Sequence, residues 1–289
     1  MKKFLLIALA ICFAHAFGQT NLLPVAKNGR WGLVNEQGQF KLDVQYEFIE
    51  FSQKAQQFVY DYRGKKGILS NEGKIISQPI YEDIKLFTPL AFCARLDGKW
   101  NLFWKNSPVF QFEFDSISPL TPSNYAVYEK GAGRVYFAET GLSSEQTYQH
   151  INSYSDQFIL GSINDSVFDL YANQGANPLV KNAIELSPLN LNYLYVHSEE
   201  NTIRLVDSKN GTVLGREMTS ISHQYGPWFY CLEGTEPLLF SVEKNRYYAF
   251  HELDYIVNII YPQVIYSYRG KQGIWNLETE KSIVAPQYE

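Results

Sequence analysis

Residues 63–84 run RGKKGILSNEGKIISQPIYEDI, and how this stretch is read decides the fold. A glycine turn at Arg63-Gly64-Lys65 leads into a short strand, Lys66 to Leu69. A tight turn at Asn71-Glu72-Gly73 and a second strand, Lys74 to Ser77, come before Pro79-Ile80-Tyr81-Glu82-Asp83-Ile84. The end is its most regular part: an apolar residue, mostly aromatic, with Ile or Leu three positions later. The pair recurs as Tyr46/Ile49, Tyr81/Ile84, Phe114/Ile117, Tyr148/Ile151, Ala183/Leu186, Met218/Ile221 and Leu253/Ile256. Successive second members lie 35, 33, 34, 35, 35 and 35 residues apart, and Tyr288 follows Leu253 by 35. A fixed period in this range marks stacked or radial repeats, none able to bury a core alone.

Working outward, each unit closes on a strand such as Phe58–Tyr62 or Phe92–Leu96, and Thr20–Ala26 has the same character. These strands run into Lys27-Asn28-Gly29, Arg63-Gly64-Lys65 and Asp97-Gly98-Lys99, where Asn-Gly and Asp-Gly supply the positive φ of tight hairpin turns. The composition agrees: 21 Tyr, 19 Phe and 5 Trp among 289 residues suit half-buried pleated surfaces. Outside the N-terminus no window keeps a helical apolar stripe. The expected fold is all-β, with about eight antiparallel repeats of ~35 residues in one domain spanning 19–289.

Arg30-Trp31-Gly32-Leu33, an Asn/Glu-Gly turn and then Pro-x-Tyr-Glu-x-Ile together resemble the WG-repeat proteins of bacteria. The likeness covers residues 27–117 and 269–288, where Arg269-Gly270-Lys271-Gln272-Gly273-Ile274 repeats the theme. Between them the period persists but the Trp-Gly pair is lost. Asn101 replaces the glycine in repeat three, Gly133-Arg134, Phe168-Asp169 and Ile203-Arg204 stand in its place further on, and Leu238-Leu239 aligns loosely. The resemblance implies β-rich repeats that offer interaction surfaces rather than a shared reaction. Physically, Trp buries a large apolar body against the next repeat, and Gly lets another backbone approach.

Two arrangements fit: a β-propeller-like closed ring and an open β-repeat superhelix. Pairing Asn21–Ala26 with the unit at 269–289 would complete an eighth blade and remove both sheet edges. That device favours the ring; the counter-reading is a C-terminal fragment. Cys93 and Cys231 lie four repeats apart, which a ring places beyond disulfide reach, so both are expected as buried thiols.

Residues 1–18 read as a signal peptide: Lys2-Lys3, an apolar Phe4–Phe13, and small residues ahead of a cleavage point near Gly18. Leu9-Ala10-Ile11-Cys12 only loosely resembles a lipobox, so export to the periplasm, cell surface or medium is expected without lipidation. No stretch is long enough for a transmembrane segment. Removing Lys2 and Lys3 takes the formal charge from −5 to about −7, with no basic run, which disfavours nucleic acid.

Chemistry leaves few marks. There is no Gly-x-Ser-x-Gly elbow. His150, His197, His223 and His251 are too scattered for zinc, and Asp165, Asp169 and Asp207 do not make a calcium loop. No cofactor site and no catalytic set is expected. Glu47 and Glu82 recur after the repeat Tyr, which points to turn or rim groups, since a catalytic residue is needed once. Trp104, Trp228 and Trp275 fall outside the repeat register and are the candidate ligand-binding residues; the competing reading is refilled core. The expected function is a non-catalytic exported binding or scaffolding protein whose rim loops meet a protein, peptide or glycan. The alternative is a propeller glycoside hydrolase, which needs two facing carboxylates.

Overall fold

In a computed structural model of the chain, residues 22–189, 192–250 and 253–288 are described, and every regular element among them is a strand paired antiparallel. The signal-peptide reading, Asn21, His251 and the side chain of His223 lie outside what is described. The chain forms two compact units, which part between Ala132 and Gly133. No described helix is long and apolar enough to cross a membrane, a fact that says nothing of strands.

The first unit opens with a three-stranded sheet of β1 (Leu23–Lys27), β2 (Arg30–Val34) and β3 (Phe40–Tyr46) in that order. Next comes a four-stranded meander of β4 (Phe48–Ser52), β5 (Gln57–Tyr62), β6 (Lys65–Ser70) and β7 (Ile75–Tyr81). A second meander follows: β8 (Asp83–Thr88), β9 (Ala91–Leu96), β10 (Lys99–Trp104) and β11 (Ser107–Pro108). The hairpin of β12 (Ser116–Thr121) and β13 (Asn124–Glu129) ends this unit.

The second unit starts with β14 (Ala132–Phe137) paired to β15 (Leu142–Ser143). Its large sheet runs in chain order through β16 (His150–Ser153), β17 (Phe158–Ser162), β18 (Phe168–Ala172), β19 (Val180–Pro188), β20 (Tyr193–Ser198), β21 (Ile203–Asp207) and β22 (Val213–Met218). Two meanders complete it. One holds β23 (Ser220–Tyr225), β24 (Trp228–Glu233), β25 (Glu236–Ser241) and β26 (Arg246–Ala249). The other holds β27 (Tyr255–Ile260), β28 (Gln263–Tyr268), β29 (Lys271–Asn276) and β30 (Lys281–Tyr288).

Sheets and sequence repeats are out of phase. Tyr81 ends β7 and Ile84 lies in β8, so the Tyr-x-x-Ile pair straddles two successive sheets there, whereas Ala183 and Leu186 both lie in β19 of the large sheet. The pair's members are the residues each sheet sends into the space beside the next. Tyr46, Tyr81, Phe114, Tyr148, Ala183, Met218, Ile49, Ile84, Ile117, Ile151 and Ile256 are all buried. The apolar clusters follow this plan. One joins Tyr46 and Ile49 to Leu33, Phe58, Tyr60 and Leu69, and another joins Tyr81 and Ile84 to Ile68, Phe92 and Phe103. The phase also corrects an expectation. The strand before the first Trp-Gly belongs to the first sheet: β1 pairs with β2 across a two-residue turn, and β27 to β30 form a four-stranded sheet of their own. The local hairpin wins because its turn residues already hold the chain reversed.

Those turns are built as the sequence indicates. Asn28-Gly29, Arg63-Gly64, Asp97-Gly98, Lys130-Gly131 and Arg269-Gly270 all have positive φ at both positions, the type I′ geometry that matches strand twist. The acid after the repeat Tyr holds the turn in place. Glu47 Oε2 accepts from the Gly64 amide at 3.0 Å, Glu82 Oε2 from Gly98 at 3.1 Å and Asp115 Oδ2 from Lys130 at 2.6 Å. The Gly64 N–H holds the Glu47 carboxyl below its ordinary range; for Asp115 the larger cause is the hydrogen bond from the Lys99 ammonium. These acids serve the turns, as their recurrence predicts.

The glycine of Trp-Gly has a second task. Trp31 pairs with Tyr46 and Leu33 with Leu42, so the outer strand arches over Gly32 with two extra residues. The same arch spans Ser77 to Tyr81 over Gly67 and Val284 to Tyr288 over Gly273. A Cβ on Gly32 would lie 2.6 Å from the Leu42 carbonyl oxygen, and one on Gly273 2.8 Å from that of Val284. At Gly67 it would meet the Tyr60 ring at 2.6 Å and the Ser77 oxygen at 2.7 Å. Trp31 packs edge-on against Phe48 of the next sheet, at 5.4 Å between ring centres.

Gly67→Ala should therefore cost about 3 kcal/mol, the upper end of overpacking, because backbone stands in the way. Gly64→Ala, which points into open space and bears only the left-handed backbone penalty, should cost about 1 kcal/mol. Urea unfolding of both variants measures the difference; equal losses would show a pliable arch. Cys93 and Cys231 are buried free thiols, and burial pushes both up to about 12, as it does the Tyr60 phenol. Their folded values exceed the unfolded ones, so the thiols' contribution is complete below about pH 8.5 and is lost as pH rises toward 12. A chain starting at Gln19 should lose stability progressively above about pH 9 and react with Ellman's reagent only after unfolding. Rapid native labelling of either thiol would contradict this packing.

Candidate functional site

The site grows out of the positions that lost the glycine. Strand register identifies them: Trp100 bridges to Phe114, Gly133 to Tyr148, Phe168 pairs with Ala183 and Ile203 with Met218, as Trp31 does with Tyr46. The residues under the arch are therefore Asn101, Arg134, Asp169 and Arg204. In repeat seven the register of β24 and β25 sets Leu238 opposite Cys231, as Gly67 stands opposite Tyr60, so the counterpart of Trp-Gly there is Pro237-Leu238 and not Leu238-Leu239.

Asn101 and Asp169 bond the backbone of the outer segment, whereas Arg134 is exposed and Arg204 reaches a side chain. Asn101, 1% exposed, donates from Nδ2 to the Phe110 carbonyl at 2.6 Å and accepts from the Phe110 amide at 3.1 Å. Asp169 Oδ1 accepts from the Asn182 amide at 2.9 Å. Arg204 Nε donates to Glu217 on β22 at 2.8 Å. Over Asp169 the outer strand carries one extra residue in place of two, while over Arg204 it keeps the two extra residues it has over Gly32.

Three adjoining clefts lie beside Asp169 and Arg204, all in the second unit. The first, of about 490 Å³, is lined by Glu145, Tyr171, Lys181 and Asn182 with Asp169. The second, about 390 Å³, shares Lys181 and Asn182 with it and adds Arg204 and Glu217. The third, about 590 Å³, continues past Arg204 and Glu217 to Arg216 and Glu233. Beneath the first cleft is a buried polar cluster. Tyr148 donates to Asp169 Oδ2 at 2.8 Å and shares a short hydrogen bond with the Tyr171 hydroxyl. Burial raises both phenols well above their ordinary range, so both remain neutral donors. The rung accommodates this exchange: opposite Asp169 stands Gly161, and a Cβ there would meet the Tyr148 ring at 2.7 Å.

The tryptophans singled out from the sequence are placed differently. Trp228 is 5% exposed and stacks on Tyr261 at 5.6 Å, within the cluster that also receives Trp275. Trp275 is half-buried, 5.7 Å from Phe250. Trp104 belongs to the first unit, half-buried and edge-on to Tyr125 at 6.3 Å. His150 is exposed, and His197 bonds Asn201 at 3.1 Å. Among the described residues no group of His, Cys, Asp and Glu is placed to hold a metal ion. Sequence reasoning passes over Glu145, Tyr171, Lys181 and Asn182. Asp169 stands out there chiefly as a replacement for glycine, and that is the usable signal.

No curated protein matches the sequence. Solved structures similar to the chain include a eukaryotic initiation factor, 13% identical, covering 92% of this chain and 84% of that one at a TM-score of 0.36. The WD40 β-propeller domain of Doa1 is 10% identical over 77% of this chain and 86% of that one, with a TM-score of 0.27. Hsv2p of Kluyveromyces lactis is 11% identical over 79% and 92%, with a TM-score of 0.28. Residues 31–54 and 67–100, which hold Trp31-Gly32, Gly67 and Trp100, match the model of the family described as WG containing repeat, and these two stretches are WG repeats.

Proposed function

We propose that this is an exported, non-catalytic binding protein that uses the cleft-bearing edge of its second unit to hold a protein, peptide or glycan. One observation carries the reading: between residues 133 and 233 the loss of Trp-Gly coincides with clefts lined by charged and amide side chains. Relaxed packing alone would leave apolar gaps, whereas here charged groups stand where the repeat has glycine and keep hydrogen bonds. The use of repeats as a frame for such a face agrees with the WG repeats of the first unit. Against the glycoside hydrolase, both Asp169 oxygens already accept hydrogen bonds that fix the fold, which supports a positioning use over proton transfer.

Glycan and peptide arrays probed with the chain from Gln19 onward should give saturable hits. Arg204→Glu, which reverses a charge shared by two clefts, should weaken them roughly tenfold, while Lys54→Glu in the first unit should not. Blank arrays would remove the reading. Export is checked separately: fractionation and mass spectrometry should find a mature N-terminus near Gln19 outside the cytoplasm.

A further inference from the structure

The first cleft differs from its neighbours in one respect. In the other two, the arginines carry their own counter-charges: Arg204 pairs with Glu217 and Arg216 with Glu233. In the first, Asp169, Glu145 and Lys181 enter no ion pair among the described residues. Asp169 is 3% exposed, and its partners, the Tyr148 hydroxyl and the Asn182 amide, are both neutral. A carboxylate taken out of water without a counter-charge is costly, and such a site gains most from a cation that arrives with its own donors. Each Asp169 oxygen has used one hydrogen-bonding position and keeps another.

We propose that this cleft receives an organic cation, the ammonium or guanidinium of a lysine or arginine side chain. The cation sets its N–H donors against Asp169, and Glu145 adds a second negative charge to the lining. Ile163, Ala176 and Pro178 supply apolar wall for the aliphatic stem. The volume lies within the range of small-ligand sites. Lys181 opposes the cation and makes the site selective for a single charge. The proposal rests on the reading of the second unit as the binding face, and it names the chemistry of one subsite.

Titration calorimetry of the chain from Gln19 onward with Nα-acetyl-arginine amide and Nα-acetyl-lysine amide tests it, with Nα-acetyl-citrulline amide as the neutral control. At least one cation should bind saturably and the control should not. Asp169→Asn should weaken binding roughly ten- to a hundredfold, with an unchanged circular dichroism spectrum. Lys181→Ala should strengthen it. Should Asp169→Asn fail to fold, the exposed Glu145→Gln is the second variant and should weaken binding severalfold. Equal binding of citrulline, no binding of either cation, or binding indifferent to the variants would overturn the site. Array hits that do not depend on basic residues would leave the wider binding reading intact while this subsite fell. Blank arrays with saturable binding of a cation would do the reverse.

Discussion

The closeness of the outer strand to the glycine of Trp-Gly is the constraint on which the rest depends. In these sheets the outer strand arches over the glycine with extra residues. The arch brings a carbonyl oxygen within 2.6–2.8 Å of where a Cβ would stand at Gly32, Gly67 and Gly273. Only a residue without a side chain fits below it, so the glycine reports on a neighbour 10 to 11 positions away in sequence rather than on its own φ. The aromatic partner across the rung, Tyr60 or Tyr266, takes the volume the glycine leaves. At Gly67 and Gly273, glycine, arch and tyrosine are therefore one unit of packing, while Gly32 faces Val25.

The second unit shows how this packing can change. At Asp169 the small residue has moved across the rung to Gly161, and the tyrosine over it is Tyr148, which belongs to the repeat pair. Volume across the rung is conserved while its chemistry is not, since an apolar contact has become a polar cluster. Cores tolerate exchanges of that kind when total volume is kept. Because each sheet leans on its neighbours through clusters such as Tyr81 with Phe92 and Phe103, a change under one arch leaves the adjoining interfaces standing. A repeat array can thus lose its defining motif over four modules without losing its fold.

Much of the fold is legible in the sequence because its determinants are local. The period of the Tyr-x-x-Ile pair, the Asn-Gly and Asp-Gly turns and the recurring acids each act within a hairpin, and the structure places each where local chemistry directs. The phase of the sheets is not legible in the same way. A periodic sequence has no marked beginning, and only pairing shows that Tyr81 closes one sheet while Ile84 opens the next. The site is harder still. Aromatic residues out of register, such as Trp228, attract notice, but a large ring is as useful to a core as to a ligand, and Tyr261 and Tyr248 enclose this one. Asp169 and Arg204 carry the better signal, a charge where the repeat has glycine, and its meaning depends on knowing what lies above the glycine.

That dependence bears on how a binding face arises in a repeat protein. Loops at the ends of strands vary freely because nothing packs on them, and surfaces built there need no compensation. A side chain under the arch is different. It stands against the outer strand, and the polar residues found there each reach a partner on or beside it: Asn101 toward Phe110, Asp169 toward Asn182, Arg204 toward Glu217. Packing therefore admits a polar or charged group where it finds such a partner, while in repeat seven Leu238 fills the same place with apolar bulk. Where the group is neutral, or meets an opposite charge as Arg204 does, the opening is chemically complete. Where it is a carboxylate held only by neutral donors, as at Asp169, the demands of the fold have left a charge unanswered, and the residues around it are free to be shaped by whatever answers it.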